Sequence, residues 1–396
     1  MNILVISHMY PSTFNHMSGI FVHKQVGELV RQGCNVKVVS AIPWSGFPLN
    51  KLSKKWNLYS KVPNKTLIDN IPVFYPRYIE FPRGYLLNSS GKRMYKSMKK
   101  LIHSLNNENK FDLIHSHVAL PDGYAGMLLS EELKLPHVVT VHGQDFQNTI
   151  KRNNTLKNTV FDVLNKSDKV ITVSGKLKRM VNDETFSSKI HVINNGINVN
   201  DCIRESNNNI QMQEPNILSV SNLIKTKGID LNIEAMRFLV QKYKNLKYYI
   251  IGDGPEKENL LNLVKEYNLQ DNIIFLGKLK HDEVMNYMSK CTVFSLPSWQ
   301  EGFGVVYIEA MLQKKPVIGV KGEGIEDVIE HNQNGILVSP KNVDEVVNAI
   351  DILLDYKEKR ISMGNKAKDT VINNFTWKIN AQKVIKLYEG LIEHGR

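Results

Sequence analysis

The chain has few cysteines and no long apolar run. Cys34, Cys202 and Cys291 are the only cysteines among 396 residues, and none belongs to a Cys-x-x-Cys pair. This spacing argues against a disulfide framework and predicts buried, reduced thiols in a cytoplasmic protein. No apolar run approaches the ~20 residues of a membrane-spanning helix. The opening segment, Met1 to Ile6, has neither the basic start nor the apolar length of a signal peptide.

Two motifs are also missing. The sequence contains no Asp-x-Asp, so nothing indicates a carboxylate site for a divalent ion that would bridge a diphosphate. It also lacks a complete Gly-x-Gly-x-x-Gly after the first strand, which counts against a dinucleotide-binding oxidoreductase. We therefore expect neither a metal nor a cofactor.

The chain has fewer acidic than basic residues. There are 51 basic and 39 acidic residues, a formal net charge of +12. A basic chain suits nucleic acid, an anionic membrane surface or an anionic small substrate, but no nucleic-acid motif accompanies the charge. The basic residues are densest over residues 92–105, where helical spacing separates an apolar side from a lysine-rich side. This pattern fits a surface helix docked on a sheet or, alternatively, a peripheral membrane contact.

What the sequence does contain is a regular alternation of strands and helices. We predict strands at 3–7, 36–40, 113–117, 137–141, 170–173 and 190–193, with helices at 19–32, 92–106, 123–133 and 156–165. A second series of strands follows at 216–220, 248–252, 273–276, 293–296, 316–320 and 335–338. Such alternation predicts an α/β fold with doubly wound parallel sheets.

The length and one polar stretch predict two domains. A chain of 396 residues is too long for one ordinary core. The Asn-rich segment that follows residue 198 is the best linker candidate. We therefore predict a first domain at 1–198, a linker at 199–215, a second domain at 216–375 and a final amphipathic helix within 376–396.

The most informative motif follows the strand at 293–296. A loop containing Glu301, Gly302 and Gly304 leads into a helix that carries Glu309. Glycines let backbone N–H groups approach an anion, and the positive end of the following helix points at the same place. Carboxylates accept hydrogen bonds from sugar hydroxyls. The motif therefore predicts a ligand with both a diphosphate and neutral hydroxyls, such as a nucleotide sugar.

Histidines follow two strands of the first domain. His115 and His117 lie on one face of a strand; they could hold a metal, but no further ligands accompany them, which favours packed, hydrogen-bonded rings. His142 leaves a strand beside a glycine and precedes Asp145, so we expect it to face the ligand. Gly19 lies where the first loop meets a helix and could bring its N–H group to a phosphate.

Three further loops of the second domain could contact the ligand. Each follows a predicted strand: the first contains Asn222, Lys227 and Gly228, the second contains Gly252 and Gly254, and the third contains Lys278. Glycines in such positions permit close backbone approach, and a lysine can neutralise phosphate.

The Glu301 to Glu309 segment resembles the E-x7-E motif of retaining glycosyltransferases of family 4, which have the GT-B fold. The resemblance runs over essentially the whole chain and includes the His-Gly-x-Asp stretch at His142 and the Lys-Gly pair at Lys227. It implies two Rossmann-like domains that face each other across a cleft. The N-terminal domain would bind the acceptor and the C-terminal domain the donor, and the final helix would cross back onto the N-terminal domain.

The resemblance also implies residue roles. Glu309 would bind the ribose, Glu301 the hexose, and Lys227 the leaving diphosphate, while His142 would lie beside the donor sugar. Asn222 stands where relatives usually carry Arg, so it brings no charge and marks a subgroup similar to teichuronic-acid and capsule enzymes. The catalytic residues would be His142, Lys227 and Glu301. The donor-binding residues would be Gly19, Asn222, Lys227, Gly252, Gly254, Lys278, Glu301, Gly302, Phe303, Gly304, Val305 and Glu309.

The implied activity is metal-independent, retaining transfer of a sugar from a nucleoside-diphosphate sugar, by default UDP-linked, to a glycan or lipid-linked acceptor. The enzyme would be cytoplasmic and could bind the inner face of the cell membrane. Two alternatives stay open: a sugar-nucleotide epimerase of the same fold, which needs no acceptor, and a non-catalytic binding protein, which binds without turnover. A nicotinamide-dependent dehydrogenase comes last.

Overall fold

The chain forms two compact units. The computed structural model describes residues 1–81, 84–181, 188–203 and 210–394. One unit contains Met1–Asn194 and Trp377–Arg396, and the other contains Asn195–Thr376. Of the predicted linker, residues 199–202 are helical, 204–209 lie outside the described residues, and 210–215 contain neither helix nor strand. Residues 395 and 396 of the predicted final segment also lie outside the described part.

The strands build two sheets and a short pair. In the N-terminal unit they are β1 Asn2–Ile6, β2 Asn35–Val39, β3 Ile42–Pro43, β4 Lys65–Ile68, β5 Ile71–Phe74, β6 Arg77–Tyr78, β7 Leu113–His117, β8 His137–Val141, β9 Lys169–Thr172 and β10 Ile190–Val192. In the C-terminal unit they are β11 Asn216–Val220, β12 Lys247–Ile251, β13 Ile273–Gly277, β14 Val293–Ser295, β15 Val317–Val320 and β16 Ile336–Val338.

Helices connect these strands. They are α1 Ile20–Arg31, α2 Leu49–Leu52, α3 Lys54–Ser60, α4 Ser90–Glu108, α5 Tyr124–Leu133, α6 Ile150–Arg152, α7 Asn154–Lys166 and α8 Gly175–Met180, followed by α9 Val199–Cys202, α10 Ile229–Lys242, α11 Lys257–Glu266, α12 His281–Lys290, α13 Val305–Leu312, α14 Val343–Asp355, α15 Lys357–Asn374 and α16 Trp377–His394. Within the described ranges, no helix is long and apolar enough to cross a bilayer.

Both sheets have doubly wound order. The N-terminal sheet runs β10-β9-β8-β7-β1-β2-β5-β4, and among the strands that the structure describes there only the β4–β5 pair is antiparallel. The C-terminal sheet runs β13-β12-β11-β14-β15-β16, all parallel. The strand order reverses between β1 and β7 in the first sheet and between β11 and β14 in the second. At such a reversal the loops that leave neighbouring strands diverge, which opens a place for a ligand. The predicted α/β class is confirmed.

The helix α4 settles one of the open alternatives. Met94, Met98 and Ile102 are fully buried and Leu105 is 4% exposed, all in a cluster with sheet residues. The apolar side of α4 therefore forms part of the core. It is not available to a membrane, and the interpretation as a surface helix is correct.

One hairpin was not predicted. β4 and β5 pair antiparallel through a turn at Asp69 and Asn70, whose φ angles are 49° and 63°. Two consecutive left-handed residues define the type I′ turn that suits a two-residue hairpin, and Asp and Asn tolerate this conformation best after glycine. The Asp-Asn dipeptide between two short β-rich runs is the signal that could have revealed it.

The helix α16 completes the core of the N-terminal unit. Ala381, Val384 and Tyr388 are fully buried among residues of β1, α1 and β2. The hydroxyl of Tyr388 also hydrogen-bonds His115 Nδ1 at 2.5 Å. The packing explains the apolar spacing of the final segment.

A buried histidine in β8 gives the N-terminal unit a pH dependence that can be measured. His137 is fully buried between Ser116 and Ser167, with ring-to-hydroxyl distances of 3.0 and 3.3 Å. Burial lowers the pKa of His137 from its ordinary 6.5 to about 3. Below pH 6.5 the unfolded chain therefore binds a proton here that the folded chain does not, and folding is disfavoured.

We expect His137→Asn to flatten the loss of stability on acidification. Between pH 7 and pH 5 the wild type should lose about 2 kcal/mol more unfolding free energy than the variant, since each pH unit below the unfolded pKa costs about 1.4 kcal/mol. Urea unfolding at the two pH values measures this difference. His16→Asn, at an exposed histidine, is the control. Equal pH dependence of wild type and His137→Asn would contradict the neutral buried ring.

Candidate active site

The site in the C-terminal unit is built from the loops that leave β11 and β14. The two loops are bonded to each other: Trp299 N–H and the Ser298 hydroxyl both donate to Thr226 O at 3.0 Å. Gly228 has φ 67°, and a Cβ there would lie 2.3 Å from Pro297 O. Only glycine permits this approach. The loops therefore form one surface at the reversal of strand order.

Lys227 and Glu301 are brought together on this surface. Lys227 Nζ lies 2.5 Å from Glu301 Oε1, and their side chains are 17% and 11% exposed. A charge-assisted bond in a partly desolvated place is strong, but it holds the cation where an anionic ligand can compete for it. The two residues that were predicted to be catalytic in this unit thus form one ion pair.

A third carboxylate holds the Glu301 loop. Glu323 Oε2 accepts a hydrogen bond from Glu301 N–H at 2.7 Å, and Glu323 is 7% exposed. The neighbouring Gly324 lies so close to the loop that a Cβ would be 2.3 Å from Gly302 O. This Gly-Glu-Gly segment was not among the predicted site residues. Its two glycines around an acid were the available signal for a loop support.

The helix α13 begins at the predicted glycine loop. Gly304 caps it with φ 95°, and Val305 is its first residue. Phe303 is 3% exposed and packs near the ring of Phe375 at 6.1 Å. The Phe303 side chain is therefore part of the core, and only its backbone can face a ligand. N–H groups at the first turn of a helix are suited to an anion.

Glu309 lies in α13 and has a partner that the sequence did not indicate. His281 Nε2, at the start of α12, lies 3.0 Å from Glu309 Oε1, and the Glu309 side chain is 16% exposed. The hydrogen bond to Glu309 raises the pKa of His281, although burial opposes it. The hydrogen bond orients the Glu309 carboxylate.

The remaining predicted residues of this unit follow the ends of neighbouring strands. Gly252 follows β12 with φ 139°, and a Cβ would meet Ser221 O at 1.8 Å. A Cβ at Gly254 would also lie too close to the backbone, 2.4 Å from Leu223 O. Asn222 and Lys278 are exposed after β11 and β13. Parallel strands place all these loops at the same edge of the sheet.

In the N-terminal unit, His142 belongs to a stack of histidines. His142 Nε2 and His117 Nδ1 lie 3.0 Å apart with their rings stacked, and His115 lies against His117. Burial lowers the pKa of His142 to about 3. The ring is therefore neutral at physiological pH and can act only through hydrogen bonds. His115 is bonded to Thr140 at 2.7 Å, so the expectation of packed, hydrogen-bonded rings is confirmed.

Gly19 is brought near His142 by the helix that it starts. Gly19 has φ 58°, and a Cβ would lie 2.0 Å from Met9 O. Phe21, two residues later, packs on the ring of His142 with centroids 4.6 Å apart. Asp145 accepts a bond from Ala119 N–H at 3.0 Å and fixes the turn after His142. The predicted residues of this unit thus share one region.

A cavity opens beside the first strand of the same unit. Its volume is about 420 Å³, and its lining includes His8, Lys55, Trp56, Tyr59 and Glu80. His8 Nδ1 lies 2.8 Å from the buried Asp122. Burial opposes a charge on His8, but the Asp122 charge and hydrogen bond outweigh it and raise the pKa of His8. No sequence pattern indicates this cavity, because its lining comes from many separate segments.

The fold and the site define the class of protein, and the sequence comparisons agree. The family profile "Glycosyltransferase Family 4" matches residues 18–201, and "Glycosyl transferases group 1" matches residues 203–370. The chain belongs to glycosyltransferase family 4: it is a glycosyltransferase of the hexosyltransferase class with the GT-B fold.

Individual glycosyltransferases are also similar to this chain over most of its length. The chain is 33% identical over 330 residues to an uncharacterised glycosyltransferase of Methanocaldococcus jannaschii, covering 82% of this chain and 85% of the relative. It is 27% identical to a Bacillus subtilis protein named as a glycosyltransferase of teichuronic acid biosynthesis, covering 88% of each. Among solved structures, Anabaena HepE in complex with UDP and glucose has a TM-score of 0.72 at 19% identity, covering 98% of this chain and 100% of HepE.

Two glycines of the C-terminal unit can be compared to test how closely its loops approach one another. Gly252 and Gly277 both have positive φ, but a Cβ at Gly277 would meet nothing within 4 Å. We expect Gly277→Ala to cost about 1 kcal/mol of unfolding free energy through backbone strain alone. Gly252→Ala should cost about 3 kcal/mol or more because the Ser221 backbone must also move. Urea unfolding of both variants checks the difference. Equal costs would mean that the approach to Ser221 is not tight.

Proposed function

We propose that this enzyme moves a sugar with retention of configuration from a nucleoside-diphosphate sugar, by default UDP-linked, to a glycan or lipid-linked acceptor of surface-polysaccharide synthesis. The Lys227–Glu301 ion pair beside the N-terminus of α13 carries this proposal. The surface-polysaccharide name of the Bacillus subtilis relative and the UDP complex of Anabaena HepE support it.

The donor would bind at the C-terminal unit. Glu309, held in place by His281, would accept hydrogen bonds from the ribose hydroxyls. The backbone of residues 302–305 at the start of α13 would meet the diphosphate, and Gly252 and Gly254 would let the chain approach the nucleoside. The exposed side chains of Asn222 and Lys278 would add an uncharged and a charged hydrogen-bond donor at the edge of the donor site.

Catalysis would begin by opening the ion pair. An incoming diphosphate competes with Glu301 for Lys227, and the released Glu301 carboxylate can then hold the hexose hydroxyls. Lys227 would stabilise charge that develops on the leaving diphosphate, which is the largest kind of contribution such a site can make. The acceptor hydroxyl would attack the sugar from the same face that the diphosphate leaves, through an oxocarbenium-like ion pair. The leaving phosphate would help to deprotonate this hydroxyl, and attack from this face would retain the configuration. No metal ion is needed in this scheme.

The N-terminal unit would supply the acceptor site and His142. Because the pKa of His142 is lowered to about 3, the ring would orient the sugar by hydrogen bonding rather than by charge. The cavity lined by Trp56, Tyr59 and Glu80 suits a glycan, since aromatic faces pack on sugar rings and a carboxylate accepts from hydroxyls.

An apolar rim beside this cavity supports a lipid-linked acceptor. The rim consists of exposed side chains with exposed fractions from 36% to 71%: Trp44, Phe47, Ile79, Phe81, Tyr85 and Leu86. Cations lie over it: Lys51 is 5.3 Å from the Phe47 ring and Arg93 is 5.1 Å from the Phe81 ring. Aromatic side chains with interspersed cations are typical of surfaces that bind anionic lipid. The enzyme would thus bind the inner face of the cell membrane from the cytoplasm.

Nucleotide-induced thermal stabilisation tests the donor site. We expect UDP, rather than GDP, ADP, CMP or NAD, to raise the Tm of the wild type by roughly 5–10 °C at about 100 times its Kd. Glu309→Ala should abolish the shift because the ribose loses its acceptor. Glu266→Ala, which removes an exposed carboxylate at the far end of α11, should keep it.

Four results would contradict this assignment. A shift with NAD alone would favour a dehydrogenase, and no shift with any nucleotide would remove the donor site. Conversion of a UDP-sugar into its epimer without any acceptor would favour the epimerase. UDP binding without turnover in the presence of polysaccharide precursors would favour a binding protein.

Vesicle binding tests the apolar rim. We expect the wild type to co-sediment with vesicles that contain anionic lipid and to bind neutral vesicles less. Phe47→Asp should reduce binding about tenfold or more, since it replaces a 71% exposed ring by a repelled charge. Phe238→Asp, at a 49% exposed ring of the C-terminal unit, should not. Equal loss in both variants would point to net charge rather than to the rim.

A further inference from the structure

A cysteine, a histidine and a glutamate converge beside the proposed ribose site. Cys202 is the last residue of α9, His281 is the first residue of α12, and Glu309 lies in α13. Each residue contributes one ligand atom: a thiol sulfur, a ring nitrogen or a carboxylate oxygen. These three atoms lie within 4.8 Å of one another. Of these three residues, Glu309 belongs to the Glu301–Glu309 motif, whereas Cys202 and His281 were not predicted to be site residues.

Two hydrogen bonds hold the three elements together. The Gln313 side chain, just after α13, donates a hydrogen bond to the backbone oxygen of Cys202. This bond ties α9 to α13 and keeps the sulfur near Glu309. His281 Nε2 already lies 3.0 Å from Glu309 Oε1, which joins α12 to the same point. Three separate elements therefore present their ligands to one position.

The spacing and the ligand types suit a zinc ion. Zinc bonds of about 2.3 Å to sulfur and about 2.0 Å to nitrogen or oxygen place tetrahedral ligand atoms about 3.5 Å apart. His281 Nε2 and Glu309 Oε1 lie 3.0 Å apart, and all three ligand atoms lie within 4.8 Å of one another. The His281 side chain is 44% exposed, so it has room to adjust. A thiolate with an imidazole selects zinc over magnesium or calcium. We propose that Cys202, His281 and Glu309 bind one Zn²⁺ ion, with water in the fourth position.

The ion would act on the donor site. Zn²⁺ bound to Glu309 would withdraw lone pairs of the carboxylate that the ribose hydroxyls need and would occupy space beside the ribose. Bound zinc would therefore weaken nucleotide binding, and bound nucleotide would weaken zinc binding. This consequence rests on the proposed role of Glu309, whereas zinc binding itself does not. Zinc here is an inhibitor of the transferase and takes no part in sugar transfer.

The test is a direct measurement of zinc affinity on the full chain. Zn²⁺ is titrated against a chromophoric chelator, and Co²⁺ is used as a spectroscopic probe of thiolate coordination. We expect one Zn²⁺ per chain. Cys202→Ser and His281→Ala should each raise the Kd by at least about 100-fold, since loss of an outer-shell partner alone costs about 10–100-fold. Cys34→Ser and Cys291→Ser, at buried thiols elsewhere, should leave the affinity unchanged.

The outcomes separate the two proposals. Unchanged zinc affinity in Cys202→Ser and His281→Ala would overturn the zinc site. If Cys202→Ser fails to fold by circular dichroism, the exposed His281→Ala decides alone. With the zinc site intact, UDP should raise the Kd for Zn²⁺ about tenfold or more when it is present well above its own Kd. Absence of that competition would refute the ribose role of Glu309, not the zinc site.

Discussion

Parallel strand pairing is the constraint on which the site depends. In the C-terminal sheet every observed pair is parallel, so each loop that follows a strand emerges at one edge. The order reverses between β11 and β14, and the loops from these two strands carry Lys227 and Glu301. Residues that are 74 positions apart in the chain therefore meet as an ion pair without any dedicated binding domain.

Burial then decides what each ionisable group can do. The same desolvation that keeps His142 and His137 neutral is overcome at His8, where the Asp122 carboxylate lies 2.8 Å away. At Lys227 and Glu301, each charge compensates the other, so neither is left alone in a partly dry place. A ligand that takes one partner must therefore satisfy the other, which would link diphosphate and sugar recognition in the proposed mechanism.

Sequence pattern predicted the parts whose determinants are local. The strands, the helices and the glycine loop before α13 follow from periodicity and from residues that tolerate positive φ, as at Gly304. The partners of the site residues could not be found this way. Glu323, His281 and Cys202 approach Glu301 and Glu309 only through tertiary packing. The cavity near Trp56 is also formed by tertiary packing of separate segments. The β4–β5 hairpin was missed because each of its strands is only four residues long.

The two units differ in how their chain segments are arranged. The C-terminal unit is one continuous stretch, Asn195–Thr376, whereas the N-terminal unit needs α16 as well as Met1–Asn194. Tyr388 and Val384 fill the N-terminal core from that helix. During synthesis the first unit to emerge from the ribosome therefore cannot finish its core until residues 377–394 have been made. The second unit can fold completely in the meantime, so the order of folding is opposite to the order of synthesis.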